Sequence, residues 1–136
     1  MKKVVRIPQN SNVYFQLVYP KIIEILRLVA ADPESQTEAF PKTEFPPEEI
    51  GFLVEHARMM ARVLYKYGFI HKEKMEIVVK IDEAFERFEK SEWTIASMYQ
   101  SANWQSSRNL ALMALQTFSV EPTKPNLYWY SISDVQ

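Results

Sequence analysis

Apolar residues recur at three- and four-residue intervals over four long stretches of the chain, and that spacing predicts four helices. In the first, Tyr14, Leu17 and Val18 lead into Ile22, Ile23, Ile25, Leu26, Leu28, Val29 and Ala30, with Glu24 and Arg27 marking the wet side. Pro20 either opens this helix, where its missing N–H costs nothing, or kinks a longer one capped by Asn12. The spacing before Pro20 favours a helix over 13–31. In the second stretch, 47–67, Ile50, Leu53, Val54, Ala57, Ala61, Leu64 and Tyr65 form one stripe. Pro46 or Pro47 starts it, Glu48 and Glu49 suit the positive end of the helix dipole, and Gly68 stops it.

The third stretch, 72–90, takes its period from Met75, Val78, Ile81 or Asp82, Phe85 and Phe88. Glu73, Glu76, Glu83, Glu86 and Glu89 alternate with lysines on its solvated side. The fourth, 92–118 with Ser91 as N-cap, is apolar over a wide arc: Ile95, Tyr99, Leu110 and Met113 on one line, Trp93, Trp104, Ala111, Ala114 and Phe118 on another. Between the first two helices, "DPESQTEAFPKTEFPP" reads as a proline-rich connection in which Phe40 and Phe45 tuck inward. The N-terminal "KKVVRI" and a tail over 124–134, where Tyr128, Tyr130 and Ile132 alternate with Trp129 and Ser131, read as extended segments able to pair as two strands. The expected architecture is all-α: an antiparallel four-helix bundle in a single domain of residues 1–136.

Composition narrows the chemistry. The chain has 136 residues, enough to bury a core without a metal or disulfide staple. Its two glycines, against about ten at average usage, argue against a glycine-rich phosphate loop. No cysteine is present, which removes disulfides, thiol nucleophiles and thiolate metal sites. The basic N-terminus lacks the apolar run of a signal peptide, and no stretch is hydrophobic enough to span a membrane, so a soluble cytoplasmic protein is expected. Sixteen basic against seventeen acidic residues create no global field for nucleic acid. Arg58, Arg62 and Lys66 share a helix face, but three cations are a small footprint for phosphate contacts.

Recognisable catalytic patterns are missing. His56 and His71 lack ligand partners at helical spacing, no Glu-x-x-His pair occurs, and no serine sits in a nucleophile elbow. His56 reads as a half-buried or surface residue and His71, at the start of a helix, as a cap or a solvent residue. No arginine precedes either histidine at the short spacing used by helical ribonucleases. Asp82 with Glu86 is a carboxylate pair of the kind that charged helices produce routinely. Neither a cofactor, a metal nor a catalytic residue is expected.

The segment "SMYQSANWQSSRN", 97–109, carries no charge before Arg108. An ordinary solvated helix is not built this way. Either the segment is packed closely, with Ala102 and Ser106 admitting neighbouring helices, or it is a contact surface, since interface cores are rich in aromatics and arginine and poor in Lys and Glu. The second reading makes Trp104, Arg108, Gln100 and Tyr99 the partner-binding residues, with Trp129 added from the tail. The expected function is binding of another protein, or of a second copy, in the manner of inhibitors, immunity proteins, antitoxins or adaptors. The alternative is a small-ligand sensor or an enzyme with a pocket around Arg108, Tyr99 and Asn103.

Overall fold

The structure, a computed structural model, describes residues 11–130. It is all-helical over those residues: α1 (Ser11–Ala30), α2 (Pro33–Glu38), α3 (Pro46–Lys66), α4 (Lys72–Glu86), a 3-10 turn (Lys90–Glu92), α5 (Ile95–Gln100) and α6 (Ala102–Thr117). α1 packs on α3 and α6, and α4 packs on the same two, so the four long helices close a cycle. The short α5 leans on α2, α3 and α6. No helix of the described residues is long and apolar enough to cross a membrane.

Helix α1 runs through Pro20, whose ring lies on the exposed side, while Ile22, Ile25, Leu26, Leu28 and Val29 fill the core. The proline-rich connection contains an element that composition obscured. Asp32 accepts the Ser35 N–H at 2.8 Å, Pro33 takes the first turn, and α2 results. Of the two phenylalanines expected to tuck inward, Phe40 is buried and Phe45 is exposed, because Phe45 sits at the N-cap of α3. The stripe of α3 is buried as its period requires, except that Tyr65 faces solvent. Gly68 has φ +78°, and the Phe69 N–H reaches back to the Leu64 carbonyl at 2.9 Å, closing the end of α3.

Helix α4 stops at Glu86, short of the expected 90. Arg87 and Phe88 donate to carbonyls three residues back, which tightens the last turn, and Glu89 is extended. The expected fourth helix is three pieces. Glu89 and Glu92 form a reciprocal capping box around the 3-10 turn, and Thr94 caps α5 by accepting the Ser97 N–H at 3.1 Å. Ser101 is extended (ψ 131°) and accepts from the N–H groups of Asn103 and Trp104 to start α6. Three hydroxyl or carboxylate caps within a dozen residues offer the backbone alternatives to one continuous helix.

There is no strand among the described residues. Leu127–Tyr130 forms a turn closed by the Tyr130 N–H on the Leu127 carbonyl at 2.9 Å, which replaces the alternating strand expected there. The N-terminal "VVRI" and residues 131–134 lie outside the described residues. The tail runs back over α1 and reaches α3. Arg27 donates to the Glu121 carbonyl at 2.9 Å, the Asn126 N–H to Glu24 at 2.8 Å, and the Tyr130 hydroxyl to Glu49. Burial and that contact with a carboxylate push the Tyr130 hydroxyl far above its ordinary range.

Candidate functional site

The residues singled out around 97–109 divide sharply. Trp104 is 0% exposed. Its ring centroid lies 5.2 Å from those of Phe85 and Phe88 and 6.1 Å from that of Trp93, all edge-on, and its indole N–H donates to the Glu92 carbonyl at 2.7 Å. Arg108 is 4% exposed. Its guanidinium donates to Gln36 Oε1 at 2.9 and 3.2 Å and to the Met98 carbonyl, while Gln36 Nε2 donates to the carbonyls of Leu28 and Val29 at 3.2 and 3.0 Å. A buried cation is thus held by neutral acceptors, tying the ends of α1 and α2 to α5 and α6. Burial lowers the Arg108 pKa, with the charge of Asp32 opposing.

Both side chains of the expected contact set are therefore buried within the chain and bonded to its own groups. Tyr99, 54% exposed, and Gln100 do face outward from α5. Trp129 is half-buried beneath Lys21, whose ammonium lies 5.6 Å from the ring centre. Of the residues expected around a pocket, Arg108 is engaged by Gln36 and the Met98 carbonyl, and Asn103 by the Glu92 carboxylate at 2.9 and 3.0 Å. His71 is the N-cap of α4 without a capping side-chain bond, and His56 is exposed beside Phe52 with rings 4.4 Å apart.

An open cleft of about 490 Å³ lies elsewhere, between α3 and α4. Glu48, Gly51, Phe52 and Glu55 line it from α3, Asp82, Phe85 and Glu86 from α4, and Trp93 from the loop before α5. The spacing follows from the helix: 48, 51/52 and 55 share one side of α3, and 82 and 85/86 one side of α4. Gly51 is required by close approach. A Cβ there would stand 2.7 Å from Trp93 Cη2 and 2.8 Å from Cζ3, so the absent side chain lets the rim of the indole's six-membered ring come up against α3.

The cleft is negative and partly desolvated. Asp82 is 3% exposed and pairs with Arg58, Nε to Oδ2 2.8 Å, but the N–H is misaligned and neither atom makes a hydrogen bond. Arg58 also approaches Glu55 at 3.7 Å. Burial raises the Asp82 pKa, Arg58 opposes it, and Glu86 and Glu55 add to the rise. Glu48 is also held up by burial, against its own backbone N–H, with Glu49 adding to the rise. Four carboxylates therefore line the cleft beside aromatic walls, and Arg58 pairs with two of them, Asp82 and Glu55. Among the described residues no three metal-ligating side chains converge, so these carboxylates are spread along the cleft rather than gathered on a point.

Sequence reasoning passed over this site although two signals were present. Gly51 interrupts an otherwise strong helix former, and Phe52 and Met59 sit seven residues apart off the buried stripe, with His56 between. The partner supplying Trp93 was invisible, because it arrives through the break between α4 and α5. Compared with protein-family models, curated proteins and solved structures, the chain matches none.

Proposed function

We propose that the cycle α1–α3–α4–α6 is an antiparallel four-helix bundle, and that the protein acts by binding another protein through the outer side of α3 and the adjoining cleft. The single observation that carries this reading is the cleft itself, aromatic-walled and acid-lined, opening beside exposed Phe52 and Met59. Aromatic and methionine side chains beside an open cleft are the composition of interface cores and of the anchor sites within them. Phe52 costs solvation where it stands, since the α3 stripe already fills the core without it.

The test is affinity capture from the native cell with the wild-type chain and with Phe52→Glu/Met59→Glu. Both side chains are exposed, so circular dichroism should be unchanged. The expected result is a protein retained by the wild type and by a Met113→Glu control on α6, and lost from the double variant. Identical captures from all three would remove the reading. Self-association lost from the same double variant in sedimentation would make the partner a second copy.

A further inference from the structure

Helix α6 gives one side to the bundle and leaves the other uncovered. Every third or fourth residue from Ala102 to Gln116 faces outward, among them Leu112, 39% exposed, and Met113, 54% exposed. None of them is charged. From Trp93 to Val120 the only charged side chain is Arg108, and it is buried. The outer side of α4 shows the contrast, with Glu73, Glu76, Lys80 and Glu83 all exposed. We infer that a second copy of this chain covers the α6 face, the two helices packing antiparallel about a two-fold axis at Asn109.

Charge and shape both select that occupant. A two-fold interface brings a surface against its own image, so a charge near the axis would face the same charge. The outer side of α6 meets its image without that repulsion, whereas a charged partner would bury ions with no counter-charge to pair them. In an antiparallel pair centred on Asn109, helix geometry sets position 106 against 113 of the copy, 105 against 112 and 102 against 116. Small then meets large: Ser106 lies under Met113, and Ala102 under Gln116. A parallel pair would set Met113 on Met113 and leave a gap at Ser106. At the axis the Asn109 carboxamide meets its own image, and since it both donates and accepts, the two bond reciprocally. The 16 residues of α6 span about 24 Å, and a helix face about 10 Å wide is smaller than the roughly 800 Å² per partner of a standard interface. Tyr99, 54% exposed and three residues before Ala102, extends the face at each end. A weak dimer is therefore expected, with Kd of about 10 μM or above.

Sedimentation equilibrium of the full chain from about 1 μM to about 1 mM tests this. The wild type should pass from monomer to dimer, and added salt should not weaken the association, since no ion pair holds it. Met113→Glu and Ser106→Lys, both at exposed positions, should each raise Kd roughly tenfold with circular dichroism unchanged. The two positions are too far apart to pair within one helix but meet across the axis. Ser106→Lys/Met113→Glu should therefore associate more tightly than either single variant. A wild type that stays monomeric, or a double variant no tighter than the singles, would overturn the assignment. Association lost from Phe52→Glu/Met59→Glu and kept by Met113→Glu would also overturn it, placing the self-contact on α3. The chain has no cysteine, so Asn109→Cys gives an independent reading. Facing Cα atoms of packed helices come within disulfide reach, and mild oxidation should link two copies through position 109 but not through Glu83→Cys on α4. Equal linking at both positions would refute the axis. Capture of another protein through α3 is expected to survive Met113→Glu, so the two surfaces stand or fail separately.

Discussion

Gly51→Ala sets two effects of known size against each other. Gly51 lies inside α3, where replacing glycine by alanine in an unobstructed helix stabilises by about 1 kcal/mol. The new Cβ would meet Trp93 at 2.7 and 2.8 Å, whereas carbon atoms rest at about 3.5–4.0 Å, so the indole must retreat by roughly 1 Å. Trp93 is not free to retreat without loss: its ring centroid lies 5.3 Å from that of Phe88, 5.9 Å from Phe85 and 6.1 Å from Trp104. Each aromatic pair is worth about 0.5–1.5 kcal/mol, and overpacking of this kind costs about 1–3 kcal/mol in all. The clash should therefore cancel or reverse the propensity gain, leaving Gly51→Ala between neutral and about 2 kcal/mol destabilised. In a Trp93→Ala background the obstruction is gone, and the same substitution should stabilise by about 1 kcal/mol. Urea unfolding followed by far-UV circular dichroism, run on all four proteins of the cycle, reads the coupling directly, expected at about 1–3 kcal/mol. If Gly51→Ala stabilises by the same amount with and without Trp93, the indole does not rest on α3 and the cleft lacks that wall.

Three further outcomes follow from the caps and the buried cation. Ser119 closes α6 at φ 58°, with the Val120 N–H on the Leu115 carbonyl at 3.0 Å, a geometry that costs an L-residue about 1–2 kcal/mol. Ser119→Gly should stabilise by about 0.5–1 kcal/mol after the added freedom of the unfolded chain is counted, and a fall in melting temperature would contradict it. Gln36→Leu strips Arg108 of its closer side-chain acceptor, leaving Gln105 Oε1 at 3.4 Å, and should cost about 3–5 kcal/mol, against about 1–3 kcal/mol in an Arg108→Met background. Additive losses in denaturant titrations would dissolve that network. Glu92 is held below its ordinary value of 4.5 by donors from Ser101 and then Asn103, so its contribution is present above that pH and is lost as pH falls through the folded value. Asp82, raised by burial, acts with the opposite sign, its contribution lost as pH rises through its folded value. Glu92→Gln should flatten the acid side of the stability–pH curve, and a profile superimposing on the wild type would refute the assignment.

The long helices were legible because their apolar periods are strong and their ends are marked by proline and glycine. Pro46, Pro47 and Gly68 bracket α3 to within a residue of what spacing predicts. What escaped was local polar chemistry overriding period. The 92–118 stretch has a helical spacing throughout, yet Glu92, Thr94 and Ser101 each hold a backbone N–H or a capping partner that a continuous helix would forfeit. α2 was missed for the converse reason: prolines suggested a loop, while Pro33 after Asp32 is a helix start. Arg108 shows the limit of composition. Its uncharged surroundings fit burial and interface alike, and the deciding residue, Gln36, is 72 positions away.

The distribution of charge explains why the cleft was not visible in the sequence. Over 97–109, where Arg108 is the one charge, Trp104, Ser107 and Arg108 are buried and bonded to the protein's own groups, while Tyr99, Gln100, Asn103, Gln105, Ser106 and Asn109 face outward. Where charges looked routine, on α3 and α4, helix geometry gathers Glu48, Glu55, Asp82 and Glu86 on one seam faster than Arg58 can neutralise them. Counting residues along either helix shows only an ordinary solvated side. The excess appears when the two sides face each other across the cleft walled by Trp93, whose close approach to α3 Gly51 permits.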